Sequence, residues 1–180
     1  MDGIFEDMKI YLKAALLAAV GLSYMVKADD ATPLPAPVPM PDIVLSDGSG
    51  IPFHLSRYLG NVIVLEFWST SCGDCLKELT FLNRLQGDMP GKPVVALAVS
   101  EDPLASGQVK AAMAKQKLEF LKPFGDPNGN AAQILGLRGL PTSFVIDRQG
   151  NIVSRVEGPQ QWDRPDYEKR ILLLAVKPFP

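Results

Sequence analysis

Two cysteines separated by two residues are the most reactive feature of the chain. Cys72 and Cys75 are its only cysteines, and they stand where the apolar run Asn61–Trp68 ends and a helical pattern begins. Residues three apart on a helix lie about 5–6 Å from each other, which is within the separation that a disulfide requires. The spacing therefore predicts a pair that opens and closes reversibly with little movement of the backbone.

The start of the helix predicts different roles for the two sulfurs. Ser71 can cap the helix, with Asp74 at the third helical position, which places Cys72 in the first turn. Free amides and the helix dipole stabilise a thiolate there, so Cys72 is the expected nucleophile and Cys75 the resolving thiol. A static disulfide and a pair of buried thiols remain alternatives. A zinc site is disfavoured because it needs four ligands and His54 is the only histidine.

A carboxylate interrupts the apolar run that leads to the cysteines. Glu66 shares a strand face with Val64 and Trp68, so we expect it to be buried below the cysteines. Burial would raise its pKa and suit it to proton transfer with Cys75. The alternative is an edge-strand glutamate that faces water.

Two further features lie near the predicted active end. Glu78 follows Cys75 by three residues on the same helix face, where it either tunes the thiols or is a solvated surface carboxylate. The segment Gly139–Thr142, with Pro141 within it, directly precedes a predicted strand, a position that proline tolerates.

The order of apolar runs predicts an α/β fold. Ile43–Leu45 and Ile51–Leu55 flank a turn signature and form an expected hairpin at the entrance of the domain. Asn61–Trp68 and Pro93–Val99 are buried strand patterns on either side of the helix Cys72–Gln86, which indicates parallel pairing. The expected later elements are a helix at Ala105–Gln116, a short helix at Asn130–Leu135, strands at Ser143–Ile146 and Ile152–Val156, and a helix at Pro165–Val176 capped by Asp163.

The N-terminal region has the composition of a targeting segment. Ala14–Val26 is apolar and uncharged, which is typical of a signal peptide cut after Ala28. An uncleaved anchor over Ile10–Val26 and a first helix of the domain are the alternatives. A start at Met8 instead of Met1 would give a basic leading segment.

A proline-rich stretch follows. Thr32–Pro41 carries proline at every second position, which favours an extended polyproline spacer. We therefore expect a signal peptide or membrane anchor at 1–28, a proline-rich linker at 29–41 and the folded domain at 42–180. The net charge of −2 gives no electrostatic footprint for nucleic acid.

Three motifs resemble those of a known family. FWSTSCGDC, GLPTSFVID and RQGNIVSRVEG occur in this order, and the domain from Pro41 to Trp162 resembles the TlpA/ResA-like branch of the thioredoxin superfamily. That branch contains periplasmic thiol-disulfide oxidoreductases, including cytochrome c maturation thioredoxins. The resemblance implies a thioredoxin fold, in which helices flank a central mixed sheet of four or five strands, here with an N-terminal β-hairpin extension.

The resemblance also implies a set of site residues. The implied catalytic residues are Cys72, Cys75, Glu66 at the buried acid position, and Pro141 in a cis peptide bond. The candidate supporting residues are Trp68, Asp74, Glu78, Leu140 and Thr142. Among them, the resemblance implies that Glu78 is a further active-site acid and that the Leu140 backbone pairs with an extended client segment. Many relatives have proline between the cysteines and an aromatic residue before the first one, whereas this chain has Gly73, Asp74 and Ser71. Choice of partner is the property that these departures affect.

Charge predicts the direction of the reaction. Asp74, Glu66 and Glu78 oppose a Cys72 thiolate, which favours a low reduction potential and therefore a reductase. The expected partners are a client protein with a disulfide and a membrane electron donor that reduces the enzyme again. The redox-active disulfide is the only expected cofactor, no metal is expected, and the expected location is periplasmic or otherwise extracytoplasmic.

Two other functions remain possible from the sequence. A dithiol oxidase or isomerase would have the same cysteines with a higher potential. A copper-binding assembly factor would use a histidine after Cys75, and the sequence has none there.

Overall fold

The computed structural model describes residues 32–104, 107–126 and 128–178. Within them lie eight strands, four α-helices and a 3₁₀ turn at Leu55–Tyr58. The strands are β1 Thr32–Pro39, β2 Val44–Asp47, β3 Pro52–His54, β4 Val62–Trp68, β5 Val94–Ser100, β6 Pro123–Gly125, β7 Thr142–Ile146 and β8 Asn151–Glu157. The helices are α1 Gly73–Gly87, α2 Gln108–Lys115, α3 Asn130–Ile134 and α4 Pro165–Ala175. The signal peptide or anchor predicted at 1–28 lies outside the described residues.

All eight strands form one mixed sheet in the order β1-β8-β7-β4-β5-β6-β2-β3. The central strand β4 pairs in parallel with β5, as the two buried apolar runs predict, and antiparallel with β7. The five strands from β8 to β6 are the central sheet of the thioredoxin fold, and the others extend its two edges. The predicted mixed sheet with flanking helices is therefore confirmed.

Helices cover both faces of this sheet. On one face Leu79 and Leu82 of α1 and Ile171 of α4 pack against the β4 side chains of Val64 and Trp68. On the other face the intervening β4 side chains pack near α3 and the 3₁₀ turn. All seven residues of β4 are buried, which explains why the strand reads as an almost continuous apolar run.

The proline-rich stretch is paired in the structure. β1 lies at the edge of the sheet antiparallel to β8, with an irregular register between Pro33 and Val38, and the amide of Met40 donates to the Gly150 carbonyl over 2.9 Å. The sheet thus starts ten residues before the predicted domain start at Asp42. An edge strand bonds along one side only, so prolines at alternate positions leave the amides between them available for that side.

The predicted entrance hairpin is present as β2 and β3. β2 also pairs with β6, so the hairpin extends the sheet at the edge opposite β1. His54 ends β3 and contacts Asp42 over 2.8 Å. Four strand spacings, on the order of 19 Å, separate β3 from β4 and so keep His54 away from the cysteines.

The start of the last helix differs from the prediction in its cap. The N-cap residue of α4 is Arg164, with no side-chain hydrogen bond to the helix. Asp163, the predicted cap, instead accepts a hydrogen bond from Arg84 of α1 over 2.6 Å. The ion pair to a second helix takes the carboxylate away from the α4 amides. Among the described helices, none has the length and apolar character to cross a bilayer.

Candidate active site

The two cysteines lie at the junction of β4 and α1. They form a disulfide with a Cα–Cα separation of 5.2 Å, within the range expected from their spacing. Cys75 is completely buried, whereas Cys72 is half-buried. Only the sulfur of Cys72 is therefore placed to meet a second protein.

Cys72 itself caps the helix, which corrects the predicted role of Ser71. The N-cap residue of α1 is Cys72, and the amide of Cys75 donates to its sulfur over 3.1 Å. The Ser71 hydroxyl instead contacts that of Ser69 over 3.1 Å. The turn shifts the helix start by one residue, so the reactive sulfur takes the acceptor position that a cap oxygen usually occupies. A thiolate at this position would receive an amide hydrogen bond directly.

The segment around Pro141 lies at the same end of the sheet. Thr142 begins β7 directly opposite Phe67 of β4, one residue before the strand ends at Trp68. The Leu140–Pro141 peptide bond is cis, as the resemblance implies, and the Pro141 carbonyl accepts from the Gly158 amide over 2.9 Å. The Thr142 hydroxyl donates to the Gly139 carbonyl over 2.7 Å, which closes the turn before the strand. The pairing of β4 with β7 therefore brings this turn and the cysteines to the same end of the sheet.

The supporting residues differ in exposure. Trp68 is completely buried, and its indole nitrogen has no hydrogen-bond partner within the described part of the chain. Asp74 is exposed in the first turn of α1. Leu140 is half-buried and packs against the apolar clusters on both faces of the sheet.

Glu66 is buried in the centre of the sheet, not at an exposed edge. Its side chain is 0% exposed, and neither carboxyl oxygen has a hydrogen-bond partner among the residues described. Burial, followed by the charge of Glu78, raises the pKa of Glu66 well above its ordinary value. Glu66 is therefore protonated more readily than an ordinary glutamate.

Glu78 is also buried, which excludes the solvated surface position left open by the sequence. Its carboxylate accepts hydrogen bonds from the Trp162 indole over 2.7 Å, the backbone amide of Gln160 over 3.0 Å and the Ser143 hydroxyl over 3.1 Å. Burial raises the pKa of Glu78 to about 7, against the opposing effect of these three donors. Glu78 thus changes charge within the physiological pH range.

The two carboxyl groups interact through their charges. Ser143 lies directly opposite Glu66 across the β4–β7 pair and bonds Glu78, so both acids lie beneath α1 on one face of the sheet. Three donors stabilise the Glu78 anion, whereas Glu66 has none. When Glu78 is ionised, its charge opposes ionisation of Glu66.

The sequence did not predict the three hydrogen-bond donors to Glu78. Ser143, Gln160 and Trp162 are 65, 82 and 84 residues away from it. No local pattern connects residues at such distances; a buried tryptophan shortly before the last helix was the only available signal. A groove of about 250 Å³ beside α1 is lined by residues that include Asp74 and Glu78.

Comparison with known proteins supports the same chemistry. The family model described as Redoxin matches residues 35–171. The chain belongs to the redoxin family. Within that family it is similar to thiol-disulfide oxidoreductase ResA of Bacillus thuringiensis subsp. konkukian, with 31% identity over 73% of this chain and 75% of the relative. ResA of Geobacillus kaustophilus shows 28% identity over 95% of both chains.

A solved structure extends this likeness to the fold. A candidate thiol:disulfide interchange protein DsbE from Chlorobium tepidum superposes on this redoxin with a TM-score of 0.68 at 31% identity, covering 79% of this chain and 99% of that one. Together with the disulfide between Cys72 and Cys75, these relatives show that this redoxin is a TlpA/ResA-like thiol-disulfide oxidoreductase.

Proposed function

We propose that this redoxin reduces disulfides of client proteins outside the cytoplasm, with cytochrome c maturation as the setting that its relatives suggest. The observation that carries the direction is the pair of buried carboxyl groups, Glu66 and Glu78, beneath α1, the helix that begins at the cysteines. Ionisation of either carboxyl group adds negative charge on this side of the sheet, which disfavours the Cys72 thiolate, and a less stable dithiol form is a stronger reductant. The exposed carboxylate of Asp74, between the cysteines, acts in the same sense.

The proposed reaction transfers two electrons to the client. The Cys72 thiolate attacks a client disulfide, which forms a mixed disulfide and releases one client thiolate. Cys75 then loses its proton and attacks the Cys72 sulfur, which forms the Cys72–Cys75 disulfide and releases the second client thiolate. A membrane electron donor returns two electrons to the enzyme before the next cycle.

The difference in burial gives the two sulfurs different roles in the reaction. The half-buried Cys72 is accessible to a client, whereas the buried Cys75 is accessible only to Cys72. The turn that contains Leu140 and Pro141 lies at the same end of the sheet as the two sulfurs. Its backbone is available for pairing with an extended client segment.

The buried acids provide the proton acceptor that Cys75 requires. The raised pKa of Glu66 moves toward that of an ordinary thiol, about 8.5, so that a proton can pass between the two groups at small cost. Glu78 lies one helical turn beyond Cys75, and its residue lines a groove beside α1. We assign Glu66 as the acceptor and Glu78 as the group that exchanges protons with water.

A second candidate function rests on the helix cap. The amide of Cys75 bonds the Cys72 sulfur and would stabilise a thiolate, which favours a dithiol oxidase or isomerase. The redox equilibrium of Cys72 and Cys75 against glutathione separates the two directions. A reductase is expected near the thioredoxin value of about −270 mV, and a potential close to −120 mV would overturn the proposal in favour of an oxidase.

A further inference from the structure

A side chain from the neighbouring strand holds the turn that leads into Cys72. The turn Ser69–Cys72 is closed by the Cys72 amide, which donates to the Ser69 carbonyl over 3.2 Å. Inside the turn, the Thr70 amide donates to Oδ2 of Asp102 over 2.5 Å. Asp102 stands two residues beyond the end of β5, and Ser100, the last residue of β5, pairs with Trp68. The contact therefore crosses between the ends of two adjacent parallel strands.

Asp102 is itself oriented by a short network. Its amide donates to the Ser100 hydroxyl over 3.0 Å, and that hydroxyl contacts Oδ2 of Asp102 over 3.4 Å. Ser100 is completely buried, and the next amide, of Glu101, donates to the Trp68 carbonyl over 2.9 Å. The backbone directly before Asp102 is thus tied to β4, and the acceptor for Thr70 is held in place before any client arrives.

We propose that Asp102 is a positioning residue for disulfide exchange, which holds the Thr70 amide so that the turn delivers the Cys72 sulfur to the amide of Cys75. The proposal rests on the proposed function only in taking Cys72 as the attacking sulfur. It does not depend on whether the enzyme acts as a reductase or an oxidase.

The geometry explains why this contact acts on reactivity. The Cys75 amide belongs to α1, whereas the position of Cys72 at the cap depends on the turn before it. A looser turn lengthens the bond of 3.1 Å between that amide and the Cys72 sulfur. In the reduced enzyme the same bond stabilises the thiolate, so its loss raises the pKa of Cys72 and slows attack at neutral pH.

Charge and hydrogen bonding have opposite effects, which allows them to be separated. Removing the negative charge of Asp102 would by itself favour a Cys72 thiolate, whereas removing its hydrogen bond disfavours one. The neighbouring carboxyl groups are those of Glu101 and Asp126, and the carboxyl groups near Cys72 are those named above, on β4 and α1. Asp102→Ala loses both charge and acceptor, but Asp102→Asn loses only the charge and keeps an acceptor oxygen.

The test measures the rate of Cys72 alkylation by iodoacetamide against pH in the full chain, in a Cys75→Ser background that leaves one thiol and keeps the amide. We expect Asp102→Ala to slow alkylation at pH 7 about 3- to 10-fold, the effect of one lost hydrogen bond, with no change at pH values where the thiol is fully ionised. Asp102→Asn should remain within about 2-fold of the parent rate. Glu101→Gln, a charge control that leaves the Thr70 contact intact, should not slow the reaction.

Each other result would overturn the proposal. An unchanged or faster rate in Asp102→Ala would show that the hydrogen bond to Thr70 does not support the Cys72 thiolate. Equal slowing in Asp102→Asn would show that the acceptor oxygen has no effect on the rate. If Asp102→Ala fails to fold, Ser100→Ala, which keeps Asp102 but removes the contacts that orient it, must slow alkylation in the same pH-dependent way. A low or high potential against glutathione leaves this outcome unaffected, so failure of the proposed direction is distinguishable.

Discussion

The indole nitrogen of Trp162 donates a hydrogen bond of 2.7 Å to Oε1 of Glu78, although 84 residues separate the two. Both side chains are buried, at 1% and 0% exposure. The bond ties the segment before the last helix to the helix that carries the cysteines. It is also one of three hydrogen bonds that stabilise the ionised form of the buried carboxylate.

Replacing Trp162 with Phe should raise the pKa of Glu78 above its value of about 7, because the indole bond stabilises the ionised form. A carboxyl-carbon NMR titration of the oxidised protein measures this directly. Ser143→Ala removes another donor and should shift the pKa in the same direction. Trp68→Phe is the matched control, because that buried indole donates to no residue of the described chain. An unchanged Glu78 titration in Trp162→Phe would contradict the assigned contact.

Glu78 should make the stability of the oxidised protein depend on pH. Its pKa of about 7 in the folded state exceeds the ordinary value of 4.5, so the folded protein binds this proton more tightly than the unfolded chain. The resulting stabilisation is complete below about pH 4.5 and is lost as the pH rises through 7, a change on the order of 3 kcal/mol.

The measurement is the free energy of unfolding of the parent minus that of Glu78→Gln, from denaturant titrations between pH 4.5 and 8. We expect this difference to fall with rising pH. Repeating the pair in a Glu66→Gln background removes the coupling between the two acids. If the difference in unfolding free energy is constant or increases with pH, burial does not destabilise the ionised form of Glu78.

Replacing Glu66 with Gln should have opposite effects on stability and on rate. Neither carboxyl oxygen has a hydrogen-bond partner in the described part of the chain, so loss of this buried ionisable group should stabilise the fold, by roughly 1–3 kcal/mol. Loss of the proton acceptor of Cys75 should slow resolution of mixed disulfides, by a factor of about 10² or more. The rate defect should shrink as pH rises and free thiolate becomes abundant.

Stopped-flow disulfide exchange across pH, together with thermal melting of both forms, tests this pair of effects. Parent rates at every pH would show that Glu66 takes no part in the exchange. A lower melting temperature would show that the carboxyl group has a stabilising partner after all.

The two cysteines should give distinct phenotypes when replaced by serine. Cys72→Ser should abolish exchange, because the accessible sulfur is lost and Cys75 is completely buried. Cys75→Ser should leave a mixed disulfide between Cys72 and the client, since nothing resolves it. Non-reducing electrophoresis of the enzyme with a disulfide-containing client detects the adduct, and equal trapping by both variants would reverse the assigned roles.

The sequence by itself determined the features that depend on neighbouring residues. The three-residue spacing of Cys72 and Cys75, the apolar run of β4 and the apolar face of α1 are local patterns, and each led to the observed element. The burial of Glu66 also followed from its place inside a fully apolar strand. Such predictions succeed because periodicity within one element reports which of its faces is buried.

Only the tertiary structure decided the environment of Glu78 and the pairing of β1. From the sequence alone, Glu78 could lie on the surface of its helix. In the structure it is buried, because Trp162, Gln160 and Ser143 from other parts of the chain contact its carboxylate. The proline-rich segment is a spacer by composition and becomes an edge strand because β8 offers it one row of partners. Likewise, Asp102 reaches the turn before Cys72 only because β4 and β5 run in parallel and end together. In all three cases the deciding contact joins residues far apart in the sequence, and the local pattern carries no information about the partner.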